Sequence, residues 1–246
     1  MLILEGEFTE SVGQGISVIV SGAHGFGTDA LLLASFASCK ASDIACDLGT
    51  GCGIIPLLWF RDGLFKEIYG VDIQPLACDQ FRRSLDMSRI SKRINVINAD
   101  LRDLMNTLNP AAFTLVTMNP PYKPVSTGVM SSSSSDQISR HEVMCTVFDA
   151  CKAACGLLNY GGRFCMCHRP ERLCDVISAM RENNLEPKRL RFVSQNSSLA
   201  PWLFLIEGKK GAKPQLQVLP TLYIKDDYGN DSQELIKIFG DYRETK

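Results

Sequence analysis

"DIACDLGTGCGIIPLLWFRD", residues 43–62, decides the fold. The run from Asp43 to Leu48 is short and apolar, as a buried strand is. "GIIPLLWFRD" follows as a helix. Gly49, Gly51 and Gly53 turn the one directly into the other, because glycine tolerates positive φ and lets a backbone approach a ligand closely. The spacing is GxGxG, not the GxGxxG of dinucleotide sites.

The same alternation continues outward. "EIYGVDI" (Glu67 to Ile73) predicts a second strand, followed by a helix with Pro75 in its first turn. "INVINAD" (Ile94 to Asp100) predicts a third strand and "FTLVTM" a fourth. Beyond a serine-rich loop, Val143, Val147, Ala150, Ala154 and Leu158 recur at helical spacing. "GRFCMCH" (Gly162 to His168) predicts a fifth strand, and Leu173, Ile177 and Met180 a further helix. "PKRLRFV" and "PWLFLIEG" lie close together, as an antiparallel pair does. "LQVLPTLYI" is a late extended piece. Repeated strand-helix-strand order implies an open, mostly parallel sheet with helices on both faces. Ligands of such sheets bind at the carboxyl ends of the strands.

Acids stand at those ends. Asp47 precedes the glycines, where it can hold a cationic amino group. Asp72 ends the second strand, where a carboxylate can accept both hydroxyls of a ribose. Asp100 ends the third, near enough to read an adenine amino edge. A nucleoside pocket with a slot for an amino-acid tail describes S-adenosylmethionine.

The fourth strand breaks into Asn119-Pro120-Pro121-Tyr122. A planar NH2 on a base or amide is a poor nucleophile, and positive charge develops on its nitrogen as it is methylated. The Asn119 amide oxygen and the Pro120 carbonyl can accept its two hydrogens, the mirror image of an oxyanion hole. The prolines restrict the backbone, so the acceptors are placed before substrate arrives. Tyr122 offers a face on which a flipped base can stack.

Composition sets the frame. The 246 residues, 45% hydrophobic, are enough for one sizeable core. The net charge of −1 gives no sign of a polyanionic partner. Between Tyr160 and Gln215, however, ten Lys or Arg face five acids. That segment, with Lys188, Arg189 and Arg191 at its centre, is a candidate phosphate-facing surface. The amino terminus shows no signal segment, and no window is apolar enough to span a membrane. The ten cysteines contain no CxxC pair and the three histidines are scattered, so no metal site is expected. That many thiols suits a reducing cytoplasm.

On these residues the chain resembles the Rossmann-like class I methyltransferases. Longer stretches narrow the resemblance: "GTDALLLASFA" (Gly27 to Ala37), "DLGTGCGIIPLL", "NPPY", "SRHE" (Ser139 to Glu142), "HRPERL" (His168 to Leu173) and "PKRLRFV" are similar to the bacterial tRNA adenine-N6 methyltransferases. That family modifies the adenine 3′-adjacent to the anticodon of a valine tRNA. The resemblance runs from about Gly25 to Asp226. It implies one α/β domain over residues 1–246, with an extension over 1–40, a core over 41–208 and a second extension over 209–246. Its sheet has seven strands, the last antiparallel. It implies S-adenosylmethionine as cofactor, tRNA as substrate, a cytoplasmic setting and a monomer or weak homodimer. Asp47, Gly49, Gly51 and Gly53 are expected at the methionine end of the donor, with Asp72 at its ribose, Asp100 near its adenine and Asn119 beside it. Asn119, Pro120, Pro121 and Tyr122 are expected to hold the target base. Arg140, His141 and Arg169 match family motifs and are candidate substrate contacts.

NPPY also occurs in enzymes that methylate other bases or protein glutamine, as release-factor methyltransferases do. Those usually carry a helical N-terminal domain, whereas about forty residues precede the first strand here. A donor-binding module without catalysis is a further alternative, against which the intact NPPY weighs.

Overall fold

The computed structural model describes residues 3–63, 65–121, 145–240 and 242. Its centre is a twisted sheet. β3 (Ile44–Leu48), β4 (Glu67–Asp72) and β5 (Ile94–Asn98) run outward in one direction, and β6 (Phe113–Met118) and β7 (Leu158–His168) lie on the other side of β3. All four neighbouring pairs are parallel. β8 (Leu185–Ser194) and β9 (Leu203–Lys210) complete the path as β7-β9-β8, with β9 antiparallel to both neighbours. This is the expected seven-stranded sheet whose last strand is reversed. The two-residue strands β10 (Gln217–Val218) and β11 (Leu222–Tyr223) extend the outer edge in parallel with β8. They are the late extended piece of the sequence.

Strand residues alternate between two apolar layers. Ala45, Ile68, Leu115, Cys165 and Leu205 face one layer with α1 (Thr28–Ala37), α2 (Ile54–Arg61) and α3 (Pro75–Met87). Cys46, Val71, Val116, Phe164 and Ile206 face the other, with α4 (Val147–Leu157) and α5 (Leu173–Glu182). Both faces are thus covered, as a parallel sheet requires.

Boundaries differ from expectation at α4. Thr146 caps it through a reciprocal capping box with Asp149. Val143 lies outside the described residues. Leu158 is extended (φ −71°, ψ 138°) and opens β7 instead of continuing the helix.

The first residues form a hairpin that the sequence reading passed over. β1 (Glu7–Gly13) and β2 (Ile16–Ser21) pair antiparallel around Gln14 and Gly15, both at positive φ, as tight hairpin turns demand. The hairpin docks on α3: Ile19 N donates to Ser84 Oγ at 2.9 Å and Ser17 N to Ser88 Oγ at 3.1 Å. At the far end of the chain, α6 (Gln233–Phe239) packs nearby, and Arg61 joins the two by donating to the carbonyls of Val12 and Phe239.

Candidate active site

β3 is where the strand order reverses, the place at which open α/β sheets bind ligands. A cleft of about 430 Å³ opens there, over the carboxyl ends of β3, β4, β5 and β6. This lies within the ~300–1,000 Å³ of small-molecule sites. Its walls include Gly49, Gly51, Asp72, Asp100, Asn119, Pro120 and Pro121. A larger hollow of about 820 Å³ lies among α1, α2 and α6, beside the amino end of β3; it contains none of the strand-end acids.

The glycine loop is tied to the next strand. Asp72 is buried; Gly51 N donates to its Oδ2 at 2.8 Å and Gln74 N to its Oδ1 at 2.9 Å. Two backbone donors fix the carboxylate and leave further lone pairs for hydroxyl donors in the cleft. Gly49 and Gly51 have φ of 65° and 53°, and the position of a Cβ on Gly51 is open space. A smooth backbone cradle with carboxylates on its far side fits a donor carrying cationic groups and a ribose.

Asp100 also lines the cleft, but it is engaged. Its carboxylate caps the 3₁₀ turn Leu101–Asn106 by accepting Arg102 N at 2.9 Å, and the Arg102 guanidinium grips both oxygens. The guanidinium holds this carboxyl below the usual carboxylate range. Asn119 stands at the end of β6, half-buried, with its Oδ1 accepting from Cys167 Sγ at 3.1 Å. Pro120 is buried and Pro121 exposed.

Asp47 and Gly53 stand behind the wall. Asp47 is buried, and Thr117 Oγ1 donates to its Oδ1 at 2.7 Å. Burial raises its carboxyl to about 7, opposed by the hydroxyls of Thr117 and Thr50 and reinforced by Asp72. Gly53 caps α2 at φ 83°, pressed against the Phe81 ring.

The family described as the methyltransferase small domain matches residues 20–134, from the end of β2 to beyond the NPP corner. The chain has the fold of the class I methyltransferases and is an S-adenosylmethionine-dependent methyltransferase. It is 26% identical over 215 residues to the tRNA1(Val) (adenine(37)-N6)-methyltransferase of Parabacteroides distasonis, covering 87% of this chain and 89% of the relative. It is 27% identical over 220 residues to the protein of the same name from Porphyromonas gingivalis, covering 86% of each. Among solved structures it is similar to that of a predicted O-methyltransferase from Agrobacterium tumefaciens, with a TM-score of 0.69 and 21% identity over 86% of this chain and 95% of the other.

In the methyltransferase, two of the three cations expected to face phosphate, Arg189 and Arg191, are paired with acids of the chain. Arg189 donates to Glu207 Oε2 at 2.7 Å and to the Phe36 carbonyl, and lies over the Phe36 ring. Arg191 makes a two-pronged pair with Glu234, and Lys188 Nζ donates to the Lys213 carbonyl. β8 lies four strands from β3, toward the edge of the sheet. Glu207 and Glu234 therefore compensate the two arginines, while Lys188 meets only a carbonyl. Arg169 does sit at a carboxyl end, just beyond β7, where it donates to the Trp202 carbonyl at 3.0 Å and lies 5.3 Å from its ring centre. Tyr122, Arg140 and His141 lie outside the described residues.

The cleft of the methyltransferase also has walls the sequence reading missed. Ala23, His24 and Gly25 come from the loop between β2 and α1, Gln74, Arg102 and Met118 from the strand ends, and Cys145 from just ahead of α4. Gln80 holds that loop in place: its Nε2 donates to the carbonyls of Ile19 at 2.7 Å and His24 at 2.8 Å, and its Oε1 accepts from Ser21 Oγ. A glutamine on the buried face of α3 was the available signal. Among the described residues no cluster of His, Cys, Asp or Glu is arranged to hold a metal ion, and no helix is long and apolar enough to cross a membrane.

Proposed function

We propose that this methyltransferase acts on N6 of adenine 37 in a valine tRNA, the activity carried in the names of its relatives. The observation that carries the reading is Asn119-Pro120 at the rim of the cleft that also contains Asp72 and the glycine loop.

S-adenosylmethionine, when bound, supplies an electrophilic methyl group on a positively charged sulfur. Asp72 accepts the ribose hydroxyls, with its orientation preset by Gly51 and Gln74. Gly49 and Gly51 would admit the methionine end close to the backbone, and the Asp47 carboxyl stands behind the loop, where a bound cationic group would favour its charged form. Asp100 marks the adenine end.

Asn119 Oδ1 and the Pro120 carbonyl accept the two hydrogens of the target amino group. As nitrogen becomes more positive, these oxygens stabilise it more strongly than they stabilise the starting amine, which is the condition for faster reaction. No strong base is needed, because the methylated nitrogen is acidic and gives its proton to water. Tyr122 supplies a stacking face for the flipped adenine, with Arg140, His141 and Arg169 as further substrate contacts. The chain works in the cytoplasm, as a monomer or weak homodimer.

Nucleoside mass spectrometry of tRNA from cells with and without the gene tests the reading. Loss of N6-methyladenosine from valine tRNA supports it. Unchanged tRNA, with a methylated protein glutamine lost instead, overturns it.

A further inference from the structure

The Asn119 side chain is held from the neighbouring strand. β6 and β7 are in register up to Met118 opposite Met166, so the next residues of each, Asn119 and Cys167, stand side by side at the carboxyl end of the sheet. Cys167 is fully buried, and its thiol lies 3.1 Å from Asn119 Oδ1. It faces the layer that contains Cys165 and Leu205, and on the other side it pairs with Leu205 of β9.

We propose that Cys167 is a positioning residue that sets the Asn119 carboxamide for methyl transfer. This rests on the reading of Asn119 as the acceptor of the substrate amino hydrogens. The two ends of a carboxamide are nearly equal in size, but only the oxygen accepts a hydrogen bond. Turned over, Asn119 would present NH2 to an incoming NH2 and repel it. A donor fixed behind the oxygen selects the productive orientation. A carbonyl oxygen can accept two hydrogen bonds, so a thiol on one side is compatible with a substrate amino group on the other. A thiol is a weak donor, so it orients the oxygen while withdrawing little of the electron density that substrate needs. Its strand is covered on both sides, so the donor does not move when substrate binds.

The test uses the full chain, labelled S-adenosylmethionine and a valine tRNA transcript. Single-turnover rate at saturating donor, donor affinity and melting temperature are measured for C167S, C167A and C167V. Ala and Val lack the donor, and Val preserves apolar volume should Ala destabilise the fold. Ser keeps a donor at the same place. The expected result is a rate about tenfold lower in both C167A and C167V, the scale of one hydrogen bond. C167S stays within about threefold of the parent, and donor affinity is unchanged in all three. Parental rates in C167A and C167V overturn the proposal. So does a C167S rate as low as theirs, since Cys167 then only fills space. N119A separates this from the underlying reading. If N119A is inactive while C167A and C167V are normal, the positioning role alone falls. If N119A itself turns over normally, the assignment of Asn119 falls with it.

Discussion

The Gly51 amide donates to the Asp72 carboxylate at 2.8 Å, so the loop after one strand is pinned by the acid that ends the next. A single side chain therefore shapes the cradle and offers the ribose contact. Asp72→Ala removes the acceptor of two backbone donors and the contact to the donor's hydroxyls. A charged hydrogen bond is worth about 1.5–3 kcal/mol, so donor affinity is expected to fall roughly 10- to 100-fold. Titration calorimetry with S-adenosylmethionine measures it. Asp72→Asn keeps one oxygen and is expected to lie between the two.

Two glycines two residues apart in the sequence are predicted to fail differently. A Cβ on Gly53 would lie 2.1 Å from the Phe81 ring, at a backbone φ of 83°. Gly53→Ala is expected to cost roughly 2–4 kcal/mol in overpacking and backbone strain. Melting temperature then drops by about 4–16 °C. Gly51→Ala meets nothing, and its new methyl group enters the cleft. Its main effect is on donor affinity, with a stability loss of about 1–2 kcal/mol from φ alone. Equal losses of stability in the two variants would contradict this division.

Asp47 and His168 are both buried and push stability in opposite directions across the same pH range. The folded Asp47 titrates near 7 against an ordinary 3.8, so the folded chain keeps a proton that the unfolded chain releases. Its contribution is largest at about pH 4 and is lost as pH rises toward 7. Burial, with Arg172 and Arg169 nearby, lowers His168 to about 4, and its Nδ1 accepts from Arg169 N at 2.8 Å. The unfolded chain binds that proton first, so this contribution is present above about 6.5 and is lost as pH falls toward 4. Asp47→Asn is expected to make melting temperature climb more steeply between pH 4.5 and about 7. His168→Asn, which keeps an acceptor for Arg169, makes it climb less steeply or fall. Thermal unfolding across the range checks both signs.

Reversing the charge of Arg189 tests where RNA does not bind. Arg189 and Arg163 both pair with the buried Glu207, so Arg189→Glu places two carboxylates together. Breaking such a pair costs about 3–5 kcal/mol. Arg191→Ala removes a partly exposed pair with Glu234, worth about 0–1 kcal/mol. Neither substitution is expected to change tRNA affinity in the folded enzyme. A reduced salt dependence of binding in either variant would return β8 to the RNA-facing surface.

The sheet and the cleft were legible in the sequence because each rests on local chemistry. Strand-like runs, a glycine turn and an acid at each strand end are all contiguous, and the parallel order follows from the connections. The hairpin at residues 7–21 escaped because its importance lies in a distant partner, α3. The Gln80 clamp on the His24 loop spans 56 residues, and the contact of Cys167 with Asn119 spans 48. Neither pairing has a local signature. The pairing of the basic segment was hidden for a related reason. Counting charges along the chain cannot show that Glu207 and Glu234, from other elements, neutralise Arg189 and Arg191.

Turnover by Asn119→Ala is the most direct measurement of the proposed chemistry. With a valine tRNA transcript and saturating S-adenosylmethionine, the rate of N6-methyladenosine formation is expected to fall about 10²- to 10³-fold, the cost of one preorganised group facing developing charge. Donor affinity remains near that of the parent. A variant that binds the donor normally and methylates adenine at the parental rate would contradict the account.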